Sequence, residues 1–199
     1  MHNEETDEQL LERISQHDGD RNTAAAEAAF ELLFTRHYQR VYRLLYNLVR
    51  CREQAEDLAQ ETFLALYHSP PCPGDHGGVG AWLCRVALNR GYNALRSERR
   101  ARQRAAAVGE MVQGSQAADD PHTDVTRAEE RARVRALLDQ LPERQSKLLL
   151  LRYAGFSYGE IAAALNVAPG SVGTLLARAE RAFGKLCAQE PFVGVEGRP

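Results

Sequence analysis

The sequence predicts an all-α fold made of two small helical domains joined by a flexible linker. Three observations predict it. Apolar residues recur at spacings of three and four along most of the chain, the period of an amphipathic helix. Two such periodic blocks flank AAAVGEMVQGSQAADDPHTD, residues 105–124, where periodicity and aromatic residues vanish and Gly, Gln, Asp and Pro take over. The length of 199 residues, 44% apolar and 26% charged, suits one domain or two small ones, each just able to bury a core. That apolar fraction argues against wholesale disorder. No apolar run approaches the roughly 20 residues of a membrane span, so no membrane insertion is expected. The N-terminus MHNEETDEQLLER is acidic, unlike a secretion signal, and a cytoplasmic protein is expected.

Each element follows from its residues. Residues 1–23 read as an acidic leader. From Ala24 to Val49, Phe30, Leu33, Phe34, Tyr38, Val41, Leu45 and Leu48 mark one helical face. A second helix runs from Glu53 to His68 with Leu58, Thr62, Phe63 and Leu66 inward. SPPCPGDHGGVG, residues 69–80, holds three prolines and several glycines and is a loop. The third helix, from about Gly80 to Arg104, buries Trp82, Leu83, Val86, Ala87 and Leu95 and then becomes a run of Arg. These helices make a first bundle over residues 24–104. After the linker, residues 125–187 form a second domain. A helix from Val125 to Gln140 carries Val134, Leu137 and Leu138; another starts at Pro142 and reaches Tyr153 through Leu148 to Leu151. Ser157 and Glu160 form the S-x-x-E capping box of a short helix ending near Leu165. Asn166 tolerates the left-handed turn, and Pro169 suits the first turn of a last helix to about Leu186. Residues 188–199 are a short tail.

A formal net charge of −2 speaks against a nucleic-acid partner until it is divided along the chain. Residues 1–35 carry two basic and nine acidic groups, and residues 36–84 balance at five and five. Residues 85–104 hold seven Arg and one Glu, residues 105–126 four acids and no base, and residues 127–199 eleven bases against eight acids. Sign asymmetry between segments reports on partners better than the total does. All basic residues but Lys147 and Lys185 are Arg, a bias that a GC-rich genome also produces, so Arg content alone counts for little. Cys51, Cys72, Cys84 and Cys187 lack metal-ligand spacing; four reduced thiols are expected, with neither metal nor cofactor.

Three constellations carry function. SYGEIAAALNVAPGSVGTLLARAERAF, residues 157–183, has the short helix, turn and second helix of a helix-turn-helix. Ala162 is small where the helices cross, and Ile161, Leu165, Val172 and Leu176 share a core. An ordinary helical hairpin shares the capping and spacing, but small residue, turn and apolar positions agree together here. The second helix of such a unit enters the DNA major groove. In the Arg-rich helix, Arg85, Arg96 and Arg99 or Arg100 can share a face, with Asn89, Arg90 and Asn93 on adjacent ones. Phosphates attract such a stripe and Asn and Arg can bond bases, although a solvated helix end has the same composition. Tyr92 and Trp82 offer stacking surfaces if bases leave the duplex, Trp82 fitting a core role better. In REQAEDLAQETFLALYH, residues 52–68, Glu53, Asp57 and Glu61 line one stripe with Glu56 and Gln60 beside it. A metal site needs ligands from a second helix, and none stands out. A solvated acidic face or a surface for a basic partner, bordered by Phe63 and Leu58, remains.

At these segments the chain resembles the bacterial RNA polymerase sigma factors of the sigma-70 family, specifically the compact extracytoplasmic-function group. AFELLFTRHYQRVYRLLYNLV, AEDLAQETFLALY and GAWLCRVALNRGYNALRSERR look like the sigma-2 domain, and ALLDQLPERQSKLLLLRYAGFSYGEIAAALNVAPGSVGTLLARAERAF like sigma-4. The resemblance implies a factor that directs core RNA polymerase to promoters and assists their opening, with no catalytic residues. It implies docking of Asp57, Gln60, Glu61 and Phe63 on the β′ clamp helices. It places −10 recognition on the helix with Asn89, Arg90, Asn93, Arg96, Arg99 and Arg100, and base capture partly on the loop 69–80. It implies that sigma-4 docks on the β flap and reads the −35 duplex with Ser171, Gly173, Thr174, Arg178 and Arg181. An anti-sigma factor is a further expected partner.

Two departures matter. Relatives commonly carry a basic-Ser-Arg segment at the start of the last helix, whereas this chain reads Gly173-Thr174-Leu175; Arg178 and Arg181 remain, but the best bidentate guanine readers are missing. A −35 contact must then rest on Thr174, Arg178, backbone amides and DNA shape. Asn93 stands where Asp is frequent, and Asn donates as well as accepts. Two rivals remain: a stand-alone helix-turn-helix regulator, which has no need of the acidic face, and a metal-dependent hydrolase using the carboxylates with His37 or His68.

Overall fold

The computed structural model describes residues 5–15, 23–72, 77–108 and 125–189, and every regular element among them is helical. The helices are α1 (Asp7–Ser15), α2 (Thr23–Val49), α3 (Arg52–His68), α4 (Gly78–Val108), α5 (Val125–Gln140), α6 (Glu143–Ala154), α7 (Tyr158–Leu165) and α8 (Val172–Gln189), with a 3-10 turn at Pro169–Ser171. The breaks fall where backbone chemistry requires them. Arg50, at φ 59°, and Asn166, at φ 51°, take the left-handed conformation after α2 and α7, and Gly155 does so after α6. The capping box at α7 is formed: the Glu160 N–H donates to Ser157 Oγ at 3.3 Å and the Ser157 N–H donates to Glu160 Oε2 at 2.7 Å.

The expected leader is instead partly a packed element. Leu10, Leu11 and Ile14 of α1 are buried in the core shared with α2, α3 and α4. Thr6 and Gln9 cap this helix reciprocally, the Thr6 N–H donating to Gln9 Oε1 at 2.9 Å and the Gln9 N–H to Thr6 Oγ1 at 3.3 Å. Asp7 holds α1 down, its carboxylate lying 2.6 Å from His37 Nε2 and 2.9 Å from Arg36 Nη1. The hydrogen bond from His37, joined by the charges of His37 and Arg36, holds the Asp7 carboxyl below its ordinary 3.8 against the opposing effect of burial. A depressed carboxyl pKa stabilises above the unfolded value and is lost as pH falls through the folded one. Asp7→Asn is therefore expected to lower the melting temperature by about 2–4 °C at neutral pH, and that deficit to shrink towards zero as the pH is taken below about 4. Calorimetry across that range checks both.

The first bundle owes its register to a chain of rings and one glycine. Phe34, Tyr38, Tyr42 and Tyr46 follow every fourth residue of α2 with successive centroids 4.7, 6.0 and 5.9 Å apart. Phe63 of α3 inserts edge-on at 4.8 Å from Phe34. A Cβ at Gly91 would lie 2.4 Å from Leu48 Cδ2, so glycine lets α4 cross α2 closely without displacing the Leu48 side chain.

The two units do not keep separate cores. Leu148, Leu151, Phe156 and Ile161 belong to the same buried cluster as α1–α4, while Leu149 turns the other way towards α8 with Ala179. Four consecutive leucines on α6 exceed what one helical face can bury against α8, and the surplus packs on α2. At this junction Arg40 Nη2 meets Glu160 Oε2 at 2.6 Å, and its guanidinium lies 4.3 Å from the centre of the Phe156 ring. Arg135 Nη1 donates to the Val49 carbonyl at 3.1 Å. The third helix also runs further than expected, to Val108, which shortens the expected linker from its N-terminal side. Its remainder, residues 109–124, and the tail from 190 lie outside the described residues.

Candidate nucleic-acid and partner-binding surfaces

The acidic stripe of α3 is exposed where the four-residue spacing places it. Asp57, Gln60 and Glu61 face outward, while Ala55, Ala59, Thr62 and Phe63 face the core. Phe63 corrects the sequence expectation: at 1% exposure it is sealed in the aromatic cluster and cannot touch a partner. The apolar neighbour of the acids is Leu64, 52% exposed. Helical phase distinguishes the two only once the neighbouring helices are known, because both residues are apolar and adjacent.

Antiparallel to α3 runs α4, tied to it at two levels. Gln54 Nε2 donates to Glu98 Oε1 at 3.0 Å, and Arg90 Nη1 pairs with Glu61 Oε2 at 2.5 Å. The second pair joins two residues expected on different surfaces, one for polymerase and one for DNA. Asn89, Asn93, Arg96 and Arg100 are exposed at positions i, i+4, i+7 and i+11, which makes one row of amide and guanidinium groups. Arg96 Nη1 donates to Asn93 Oδ1 at 3.3 Å and lies 3.8 Å from Glu143 through its other nitrogen. Arg99 is exposed beside a cavity of about 280 Å³ at the junction. Tyr92 lines that cavity with Lys147 4.8 Å from its ring centre, and burial pushes its hydroxyl up to about 12. Lys147 thus occupies the ring face that the sequence offered to bases. Trp82 packs against the core, as its alternative reading held.

Helices α7 and α8, with the 3-10 turn ahead of α8, meet at 108°, the angle of a helix-turn-helix. Ile161, Ala162, Val172 and Leu176 are buried where they cross. Ser171, Thr174, Arg178 and Arg181 are exposed along α8, with Arg181 Nε donating back to the Ala177 carbonyl at 3.1 Å. Gly173 is half-buried, and a Cβ there would stand 3.7 Å from the Tyr158 ring. Tyr158 itself is 46% exposed, an aromatic edge beside the start of α8 that the sequence reading did not single out. Its position after the capping serine, at the head of α7, was the available signal.

Of the loop 69–80, residues 73–76 lie outside the described residues. Among the described residues no group of three or more His, Cys, Asp or Glu side chains converges to hold a metal ion, and no single helix is long and apolar enough to cross a membrane.

Comparison with known proteins adds an independent line. Residues 33–101 match sigma-70 region 2 and residues 131–183 match sigma-70 region 4. The chain is 31% identical to the RNA polymerase sigma-H factor of Pseudomonas aeruginosa over 93% of its own length and 95% of that protein's. It is 36% identical to the ECF RNA polymerase sigma factor SigE of Mycolicibacterium smegmatis over 77% of its own length and 60% of that relative's. Among solved structures it superposes on CnrH, determined in complex with the cytosolic domain of CnrY, with a TM-score of 0.64 at 21% identity. That match covers 93% of this chain and 99% of CnrH.

Proposed function

The chain belongs to the sigma-70 family of bacterial RNA polymerase sigma factors, in its extracytoplasmic-function group, and from that premise we propose how its helices divide the work at a promoter. It is a promoter-directing subunit that binds core RNA polymerase and promoter DNA. Residues 24–104, with α1 packed onto them, act as the unit that docks on the polymerase clamp and recognises the −10 element. Residues 125–187 read the −35 element and dock on the β flap. Asp57, Gln60 and Glu61 supply the charge of the clamp contact and Leu64 its apolar border.

The observation that carries this division is the row Asn89, Asn93, Arg96 and Arg100, exposed on one face of α4. Its amides and guanidiniums suit phosphates and base edges together. Opening DNA needs no bond chemistry; extruded bases are held by stacking and edge contacts. Sigma factors are in general not enzymes, and no catalytic role is assigned to any residue of this chain. The protein works where the polymerase and the chromosome are, in the cytoplasm. An anti-sigma factor is a fitting regulator, since CnrH is itself seen with a protein partner, the cytosolic domain of CnrY.

On α8 the reading rests on Ser171, Thr174, Arg178 and Arg181 and on backbone amides at Gly173. Arginine at position 173 would add a bidentate guanine reader at the start of α8, where this chain has none. Gly173→Arg is expected to shift promoter choice towards G-containing −35 elements, with a discrimination of about 5–100-fold per base pair. Arg96→Ala is expected to weaken holoenzyme binding across promoters and flatten its dependence on log salt by about 0.7–0.9. Competitive binding of holoenzyme to promoter fragments at several salt concentrations reads both. Unchanged promoter choice in the first variant and an unchanged slope in the second would refute the assignments.

A further inference from the structure

Where α2, α4, α5 and α6 converge they leave a cavity of about 280 Å³. Its floor is apolar, with Leu48, Leu141 and Leu150 all buried. Its rim is charged, with Arg99 of α4 and Asp139 of α5 both exposed there. Most other polar groups of the lining are already engaged. Arg135 gives its Nη1 to the Val49 carbonyl at 3.1 Å, and Glu143 takes Lys147 at 2.6 Å. Ser146 Oγ donates to the Leu138 carbonyl at 2.6 Å. Arg99 and Asp139 are left over. Among the described residues neither has an ion-pair partner, and they do not pair with each other. One uncommitted cation and one uncommitted anion therefore stand over a single leucine floor.

We propose that this cavity binds a free α-amino acid with an apolar side chain, its carboxylate held by Arg99, its ammonium by Asp139 and its side chain on the leucine floor. The proposal stands on the cavity and does not depend on which helices read DNA.

Charge, size and floor select that class of ligand together. The charged lining residues are Arg99, Arg135, Asp139 and Glu143, whose formal charges cancel. That balance favours neither a phosphate nor a metal ion. A zwitterion preserves it and brings a partner for each of the two uncommitted charges, as withdrawal from water demands. The volume lies just below the range of about 300–1,000 Å³ usual for ligand pockets, which suits a molecule of one residue better than a nucleotide or a peptide. Apolar walls with a few convergent polar groups are also the usual make-up of a small-molecule site. The Asn47 amide and the Tyr92 hydroxyl, which burial keeps protonated, add neutral hydrogen-bonding groups to the lining. A charged ligand side chain would meet only leucine below it, so lysine and glutamate fit poorly. The walls belong to both units, so a bound amino acid touches both at once.

Titration calorimetry of the full-length protein, without DNA or polymerase, tests the site with L-leucine and L-phenylalanine as probes. A Kd of about 1 mM or tighter is expected for at least one of them, a modest affinity for ligands of this size. Leucinamide lacks the carboxylate and isocaproate lacks the amine, and each is expected to bind about 10-fold more weakly than L-leucine or worse. Asp139→Asn and Arg99→Gln are each expected to weaken the amino acid by about 10-fold or more. Both residues are exposed, so the melting curves of the unliganded variants should match the parent's. Heats no larger than dilution for both probes, at ten times the expected Kd, would overturn the proposal. Equal affinity for leucinamide or isocaproate would overturn recognition of a zwitterion, and equal affinity in both variants would place binding outside the cavity. Failure of the promoter-reading assignments leaves these titrations unchanged and shows up separately, in the promoter-choice variants.

Discussion

Replacing Asp57 and Glu61 together by lysine is expected to abolish promoter-specific transcription while leaving the protein folded. Both carboxylates are exposed on α3, one helical turn apart, and neither supports the core. Reversal changes the formal charge of this small face by four units. Like charges placed across an interface cost several kcal/mol, so affinity for core polymerase should fall at least about 100-fold. Surface substitutions of this kind alter stability by about 0.5 kcal/mol or less. Loss of the Arg90–Glu61 pair adds little to that, since Glu61 is half exposed. Titration of core polymerase with the labelled variant, beside a melting curve, separates docking from folding. Retained affinity would move the polymerase contact off α3.

Phe63→Ala is expected to have the opposite profile. Phe63 touches the ring chain of α2, edge-on to Phe34 and 6.4 Å from Phe30, and is 1% exposed. Truncating a buried phenylalanine costs about 3–5 kcal/mol, a large share of the roughly 5–15 kcal/mol that holds a domain together. The melting temperature should fall by about 10 °C or more. Polymerase affinity of the surviving folded fraction should be nearly unchanged. Leu64→Ser, one residue on, should do the reverse, weakening docking with little loss of stability. A Phe63→Ala protein that melts normally but fails to bind polymerase would restore Phe63 to the interface.

Positions 63 and 64 also mark what the sequence could convey. Helical periodicity located α2 to α8, and residue chemistry the capping box at Ser157 and the turn at Asn166, because each is a local property of a few residues. The Thr6–Gln9 capping box was equally local, a T-x-x-Q pattern ahead of Leu10 and Leu11, but the acidity of the N-terminus obscured it. What periodicity cannot supply is the partner of each face. Leu148 to Leu151 read as one apolar run, and only packing reveals that it serves α8 on one side and α2 on the other. Tyr92 read as a platform for bases until Lys147, 55 positions later, came to lie over its ring. The exposed row on α4 was legible as a composition, whereas the pairing of Arg90 with Glu61 depended on the register of two antiparallel helices. The net charge of −2 is likewise a sum over surfaces with different partners.

The most direct measurement is run-off transcription from genomic fragments with purified core polymerase, in the presence and absence of this protein. Transcripts that start at defined positions and require both components are expected. Tight sequence-specific DNA binding by the protein alone, with no transcripts when core polymerase is added, would contradict the assignment and leave a stand-alone helix-turn-helix regulator.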